Sequence, residues 1–291
     1  MSPTAHPFDW HLHLVCILAV AALVATYQWG TQQAGCPPTR RQRFLFVLGA
    51  VVLLGAVTWP LADLAARWLL MALVLQRLLL TLAVPPLLVL GTPRTLLDRL
   101  TRPAPVDAVL RVVVRPLPAV VIVTVVAVST LTTGAVTLSA RADVARVALE
   151  LVVLASGFVL WAPVLTELPG TPRLSPLGRG AYLIVQSVVP SFLSVVWIFA
   201  RHPLYPTFSH TGKVLALTPL LDQQLAGFLA KLSTIAVLWT VAFVIMTHAQ
   251  EDDRKGEDTE PLLWSDVQRE LDRADRRARR QGQGPPAAGS P

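Results

Sequence analysis

The sequence predicts an all-α membrane protein, a bundle of about seven transmembrane helices with its N-terminus outside the cytoplasm and its C-terminus inside. Of its 291 residues, 53% are hydrophobic and only 15% are charged, and the mean hydropathy is positive. A soluble protein of this length carries about a quarter charged residues. The apolar residues also form long runs instead of the one-sided patterns of soluble helices and strands, which indicates a bilayer environment.

Several apolar runs are long enough to cross a bilayer, which requires about 20 mostly apolar residues. In chain order, the predicted spans are Trp10–Trp29, Phe44–Leu64, Trp68–Leu90, Leu117–Leu138, Val144–Leu165, Ala181–Ala200 and Gln223–His248. Proline occurs in the third, fifth and sixth spans, as Pro85, Pro86, Pro163 and Pro190. Because proline has no N–H, these positions predict kinks or helix ends, which neighbouring helices in a membrane bundle tolerate.

Basic residues are distributed unevenly between alternate loops, and this asymmetry predicts the orientation. They concentrate in the first, third and fifth loops and in the tail, whereas the intervening loops hold few. The positive-inside rule therefore places the odd loops and the tail in the cytoplasm. The same distribution accounts for the net charge of +7 without nucleic acid, because the positive charge lies between apolar spans and no nucleic-acid-binding domain surrounds it.

Two domains follow from this pattern: a transmembrane domain over residues 1–248 and a charged cytoplasmic tail over residues 249–291. Ser265 and Gln268 form a capping box that predicts a short tail helix, followed by a disordered end. The arginines of that helix are expected either to contact anionic lipid or to remain solvated. In the third loop, Thr92–Pro116 mixes leucine and valine with arginine, which predicts a short amphipathic helix along the inner leaflet.

Ionisable side chains inside the spans are candidates for function, because a charge in the bilayer is costly unless it is paired or hydrated. Arg77, Glu150 and Lys231 lie at similar depths below the predicted outer ends of their spans. They are expected to form a buried polar network with Gln76, which Gln186 extends. Two interpretations remain at this stage: a polar site for transport, proton movement or partner recognition, and a structural ion pair that fixes helix packing.

The predicted outer face carries a second group of polar side chains, the histidines. His11, His13, His202 and His210 fall on or near this face, and imidazole is a suitable ligand for copper or zinc. The alternative is that they are polar residues at the water boundary. No Ser–His–Asp arrangement, phosphate-binding loop or His-Glu-x-x-His motif accompanies them, so the sequence does not predict an enzyme.

Several strings of residues resemble one known family. The segment Asp222-Gln223-Gln224-Leu225-Ala226-Gly227 is similar to the Asp-Gln-Gln-x-Ala-Gly signature of the CtaG-type cytochrome c oxidase assembly factors. The stretch Gln76–Pro93 is similar to the third-helix segment of that family. The resemblance implies a non-enzymatic role in assembling a haem–copper oxidase, including its copper centre, in a bacterial-type cell membrane. The implied partners are oxidase subunits or other assembly factors.

The chain departs from the family pattern at the positions that are suited to binding copper. The usual His-Met-x-Gln-His motif of the third helix aligns with Leu73, Val74, Leu75, Gln76 and Arg77. A histidine of the fifth helix aligns with Glu150. Since soft and imidazole ligands are replaced, the resemblance implies an assembly factor in which a metal pocket has become a polar network. A small transporter or proton-conducting protein that uses the same buried charges is the alternative function.

Overall fold

The computed structural model describes residues 13–165, 174–189, 192–209, 214, 216–259 and 268, and every regular element in this part of the chain is helical. The α-helices are α1 (Leu14–Gln33), α2 (Arg40–Val57), α3 (Leu61–Arg67), α4 (Leu70–Leu78), α5 (Val84–Gly91), α6 (Arg94–Thr101), α7 (Ala104–Val113), α8 (Pro116–Thr130), α9 (Thr133–Arg141), α10 (Asp143–Leu165), α11 (Pro176–Val188), α12 (Phe192–Phe199) and α13 (Pro219–Thr259). A π-helical segment, Leu79–Ala83, joins α4 to α5, and Pro206–Phe208 forms one 3-10 turn.

The predicted all-α membrane architecture is confirmed. Among the described residues, six helical segments are long and apolar enough to cross a membrane: Leu14–Gln33, Arg40–Arg67, Leu70–Gly91, Asp143–Leu165, Pro176–Phe199 and Pro219–Glu251. A seventh span is present if α7 and α8, which are bent by 91° at their junction, count together. These segments agree with the predicted spans to within several residues, apart from the fourth.

The predicted fourth span, Leu117–Leu138, is interrupted. Helix α8 ends at Thr130, and the Thr132 side chain accepts a hydrogen bond from Ala135 N at 3.3 Å to start α9. A threonine at this position supplies an acceptor to a backbone N–H that has no partner within the helix. The apolar run therefore folds as two helices, because a local side-chain cap competes with continuation of the first one.

The prolines of the third span coincide with an irregular helical segment, as predicted. Pro85 cannot donate to the carbonyl of Thr81 four residues earlier, and the π-helical segment Leu79–Ala83 lies immediately before it. The Thr81 carbonyl accepts a hydrogen bond from Trp161 Nε1 at 3.1 Å instead. A neighbouring helix thus satisfies the group that proline leaves free. Pro163 lies inside α10, whereas Pro190 lies outside the described residues.

Close helix contacts hold the middle of the bundle together. A Cβ added at Gly157 of α10 would lie 2.9 Å from the Leu80 carbonyl, so α10 and the π-helical segment approach at backbone distance. Gly91 of α5 likewise packs directly against the backbone of Phe46 in α2. Since lipid gives helices no hydrophobic drive to associate, such small-residue contacts are the usual basis of membrane helix packing.

The third predicted loop contains α6 and α7. Leu96 of α6 is buried, whereas α7 has no buried residue and carries an exposed Asp107–Arg111 ion pair. This agrees with a helical, amphipathic loop, although its predicted place at the inner leaflet remains a prediction. The chain divides into two compact units, Met1–Val244 and Ile245–Pro291. The predicted helix after Ser265 and the predicted disordered end lie outside the described residues, apart from residue 268.

Candidate functional site

The family-like segment at the start of α13 makes a fixed junction with the start of α4. Leu70 N donates to Asp222 Oδ2 at 2.7 Å, and Met71 N donates to Asp222 Oδ1 at 3.2 Å. The Asp222 side chain is fully buried. The first N–H groups of a helix have no internal partner and carry partial positive charge, so a carboxylate there is stabilised by hydrogen bonds and by the helix dipole. Asp222 is therefore an N-terminal cap supplied from a distant part of the sequence.

The next two residues of the segment bind the loop that follows α12. Leu204 N donates to Gln223 Oε1 at 2.7 Å, and Gln224 Nε2 donates to the Ala200 carbonyl at 3.4 Å. The Gln223 side chain is buried. A glutamine acceptor at this place replaces the secondary-structure partner that the loop N–H lacks, since buried backbone groups need one.

The last two residues of the segment allow α12 and α13 to approach closely. Ala226 is fully buried. A Cβ added at Gly227 would lie 2.8 Å from the Ser194 carbonyl and 2.9 Å from the Ile198 side chain. Glycine is required here because the α12 backbone occupies the space of a side chain. The segment thus joins α4, α12 and the loop after α12 at one point.

The loop after α12 is held from a second side by Tyr205. Its hydroxyl donates to the Leu131 carbonyl at 2.6 Å, and its ring packs edge-on against Trp197 with centroids 6.0 Å apart. Burial raises the pKa of Tyr205, which keeps the hydroxyl protonated as a donor. Between these anchors the loop presents exposed side chains, which are Arg201, His202, Pro203 and Leu204. The anchored backbone of this loop therefore presents a small surface of polar and apolar side chains.

In the membrane region, the structure brings Gln76 and Glu150 together, whereas the pair expected from the sequence was Arg77 with Glu150. Gln76 Nε2 donates to Glu150 Oε1 at 2.9 Å and to the Ala56 carbonyl at 2.8 Å. The Gln76 side chain is 3% exposed, whereas Glu150 is half-buried. The amide links three helices, because Ala56 lies in α2, Gln76 in α4 and Glu150 in α10.

Arg77 points elsewhere. Its Nη2 donates to the Thr130 carbonyl at 3.3 Å, and the ion pairs among the described residues do not include Arg77 with Glu150. Successive residues of a helix point about 100° apart, so Gln76 and Arg77 face different neighbours. The Arg77 guanidinium borders a cavity together with Ala230, and Lys231 is half-buried beside Ala230 in α13. The four residues of the predicted network are thus divided between two environments.

His13 belongs to a polar cluster that sequence reasoning did not find. His13 Nε2 lies 3.2 Å from Asp63 Oδ2, and His13 Nδ1 lies 3.5 Å from Arg146 Nη2. Arg146 also pairs with Asp143 at 3.2 Å. In the sequence, Asp63 and Arg146 lie near predicted span ends, and Asp63 also belongs to a weaker match to the resembled family, but neither signal relates them to His13. Of the other predicted histidine ligands, His202 is exposed in the loop after α12, while His11 and His210 lie outside the described residues.

The residues at the intramembrane positions do not fit a copper ion. Leu73 and Val74, at two positions of the resembled third-helix motif, are buried aliphatic side chains without a ligand atom. Glu150 is hydrogen-bonded to Gln76, and His13 is hydrogen-bonded to Asp63. Within the described ranges, no group of three or more His, Cys, Asp or Glu side chains is arranged to hold a metal ion.

The comparison with protein families agrees with the resemblance seen in the sequence. A family model described as cytochrome c oxidase caa3 assembly factor (Caa3_CtaG) matches residues 20–251, which is most of the chain. The matched range includes the Gln76–Glu150 hydrogen bond, Arg77 and the whole Asp222–Gly227 segment. No curated protein and no solved structure matches the chain.

Proposed function

Because the chain belongs to the family of cytochrome c oxidase caa3 assembly factors, we propose that it assists the assembly of a haem–copper oxidase as a membrane-embedded scaffold. It acts in the cell membrane, with its N-terminus outside the cytoplasm and its C-terminus inside. Its partner is an oxidase subunit or another assembly factor, and anionic lipid contacts its basic tail. It performs no chemical reaction of its own and carries no copper at the intramembrane positions.

The observation that supports this scaffold role is the anchoring of the loop after α12. Asp222 fixes the start of α4, and Gln223 fixes Leu204 N, so one segment sets the relative position of a helix and this loop. Arg201, His202 and Leu204 are exposed on the fixed backbone, and Leu204 is 44% exposed. A rigid surface that mixes arginine with an exposed leucine suits protein recognition, because little ordering entropy is lost on binding.

The chemistry of the polar side chains supports a metal-free version of this role. Copper is bound best by thiolate, thioether and imidazole ligands. The amide of Gln76 and the carboxylate of Glu150 are used in a hydrogen bond that links helices. The positive charge of Arg77, which interacts electrostatically with Glu150, opposes the entry of a cation. These buried side chains are thus better suited to linking helices than to transferring a metal ion.

The test is complementation in cells whose respiration depends on the oxidase and from which this protein has been deleted. One variant carries Arg201→Ala, His202→Ala and Leu204→Ala. A matched control carries Thr133→Ala, Leu138→Ala and Arg141→Ala, which are exposed side chains of α9 with a similar loss of charge and apolar area. The readouts are the membrane level of each variant and the amount of assembled oxidase in native gels.

We expect the loop variant to reach the wild-type membrane level and to lose most oxidase assembly, while the control variant assembles oxidase normally. Equal amounts of assembled oxidase with both variants would show that the loop after α12 is not the partner surface. Normal oxidase assembly in the deletion strain itself would contradict the assembly role as a whole.

A further inference from the structure

A cavity of about 120 Å³ lies between α4, α8, α10, α11, α12 and α13. By the same measure, about 10–15 Å³ is enough for one water molecule, so the space can hold a small polyatomic ligand. Its walls are mostly valine, leucine and alanine side chains, and Arg77 and Gln186 also line it. The cavity therefore combines a large apolar wall with one cation and one amide.

Most polar atoms of these two side chains have no hydrogen-bond partner among the described residues. Gln186 is fully buried, and within the described part of the chain neither its Nε2 nor its Oε1 has a hydrogen-bond partner. Arg77 Nη2 donates a hydrogen bond to the Thr130 carbonyl. Its Nε and Nη1 are shielded from solvent and have no hydrogen-bond partner among the described residues. Most buried polar groups in proteins are hydrogen-bonded, and each unbonded one is costly. Open donors on two neighbouring walls of one cavity are suited to bind a ligand that carries acceptor atoms.

Among the other polar side chains of the cavity, Ser156 and Thr130 have partners on their own helices, whereas the buried Trp197 Nε1 is a further donor without a partner among the described residues. Ser156 Oγ donates to the Val153 carbonyl at 2.7 Å, and Thr130 Oγ1 donates to the Val126 carbonyl at 2.7 Å. The cavity walls formed by the described residues include no carboxylate. Glu150 attracts Arg77 electrostatically, but its carboxylate is hydrogen-bonded to Gln76 and does not line the cavity. The cavity is thus suited to a ligand that carries a negatively charged hydrogen-bond acceptor.

We propose that this cavity binds a small carboxylate anion. The carboxylate accepts hydrogen bonds from Arg77 Nε or Nη1 and from Gln186 Nε2, and its alkyl end contacts the aliphatic wall. A guanidinium is suited to a carboxylate, because its charge-assisted hydrogen bonds are stronger than those between neutral groups. A halide satisfies the donors but leaves the apolar part of the cavity empty. The carboxylate comes from water as a short-chain acid or from the bilayer as the head of a fatty acid.

The experiment uses the purified full-length chain in lipid nanodiscs and measures equilibrium binding of radiolabelled acetate. Gln186→Leu removes the amide and keeps the side-chain size. Gln28→Leu makes the same chemical change at an exposed residue of α1 that is not in the cavity. Circular dichroism and elution as a single species show that each variant is folded. Arg77→Gln is a second test of the same site. If Arg77→Gln does not fold, the comparison of Gln186→Leu with the wild type is sufficient.

We expect saturable acetate binding in the wild type and in Gln28→Leu, and binding weaker by roughly tenfold or more in Gln186→Leu. Competition with labelled laurate distinguishes the two sources. Displacement of acetate by laurate indicates a fatty-acid head group, and acetate binding without displacement indicates a water-borne acid. Absence of saturable binding of both acids, or equal affinity in Gln186→Leu and the wild type, would overturn the proposal.

Discussion

Two buried glutamines of this protein have opposite surroundings. Gln76 is 3% exposed and donates to both the Ala56 carbonyl and Glu150, so it joins three helices. Gln186 is 0% exposed, and neither of its polar atoms has a hydrogen-bond partner among the residues that the structure describes. The two side chains have the same size and chemistry, and both lie in predicted spans. Burial alone therefore does not assign a role to a glutamine, because its hydrogen-bond partners decide whether it links helices or is open to a ligand.

The same contrast separates the two parts of the predicted network. Glu150 and Gln76 satisfy each other inside the bundle, as the Asp222 carboxylate satisfies the start of α4. Arg77 instead keeps two donor atoms free beside a cavity. We infer that the bonded set stabilises the fold and that the open set is available to a ligand. Substitutions in the two sets test this division, because those in the bonded set should cost more stability than those in the open set.

Asp222→Ala should have the largest effect on stability. It leaves Leu70 N and Met71 N buried without an acceptor, and each lost partner costs about 1–3 kcal/mol. We expect the free energy of unfolding in mixed micelles to fall by about 2–5 kcal/mol. Asp222→Asn keeps one acceptor oxygen and should lose less. An alanine variant as stable as the asparagine variant would show that this cap does not stabilise the fold.

Gln76→Leu should destabilise the protein by about 1–3 kcal/mol, because the Ala56 carbonyl and the Glu150 carboxylate each lose a donor. Unfolding of the single variants and of the double variant with Glu150→Leu measures the coupling between the two side chains. We expect the double variant to lose less stability than the sum of the two single variants. Additive losses would mean that the hydrogen bond between them contributes no coupling.

Gly227→Ala should cost about 1–3 kcal/mol, because the added methyl group meets the Ser194 carbonyl at 2.8 Å and the helices must separate. Gly55→Ala in α2 is the matched control, since nothing lies within 4 Å of its added Cβ. The control should be neutral or slightly stabilising, because alanine favours the helix. Thermal unfolding of both variants in the same detergent compares them, and equal midpoints would contradict the close contact of α12 and α13.

Gln186→Leu should have the smallest effect on stability, and its sign should be opposite to that of Gln76→Leu. Removing an unpartnered polar group costs no hydrogen bond, so we expect a change near zero or a gain of up to about 1 kcal/mol. The measurement is unfolding in ligand-free detergent beside Gln76→Leu. A loss as large as that of Gln76→Leu would show that Gln186 has a structural partner and would end the contrast between the two glutamines.

The sequence was sufficient to predict most spans and the polar positions within them. The long apolar runs predicted the membrane helices, and the cost of charge in lipid singled out Arg77 and Glu150. The family-like segment was recognised from Asp222 to Gly227. Its physical role as a cap and a contact point was not predicted, because the partners of Asp222 are about 150 residues away in the chain and only the folded structure brings them together.

Three features required the structure for clear physical reasons. Depth along a helix can be counted, but the direction of a side chain depends on helix rotation, so the separation of Arg77 from Gln76 was not predicted. The His13–Asp63 contact joins span ends that no local pattern relates. The bend of 91° between α7 and α8 lies next to Pro116. Proline is typical of the start of a helix, but it does not determine the angle between that helix and the preceding one.

If the protein is a metal-free scaffold, its buried polar groups hold helices together or bind an anion, and they do not bind copper. The most direct measurement is the copper content of the detergent-purified protein after copper loading, beside a variant with His11→Ala, His13→Ala, His202→Ala and His210→Ala. We expect copper at background level in both samples. Stoichiometric copper in the wild type that is lost in the variant would contradict the metal-free scaffold and assign copper handling to the histidines.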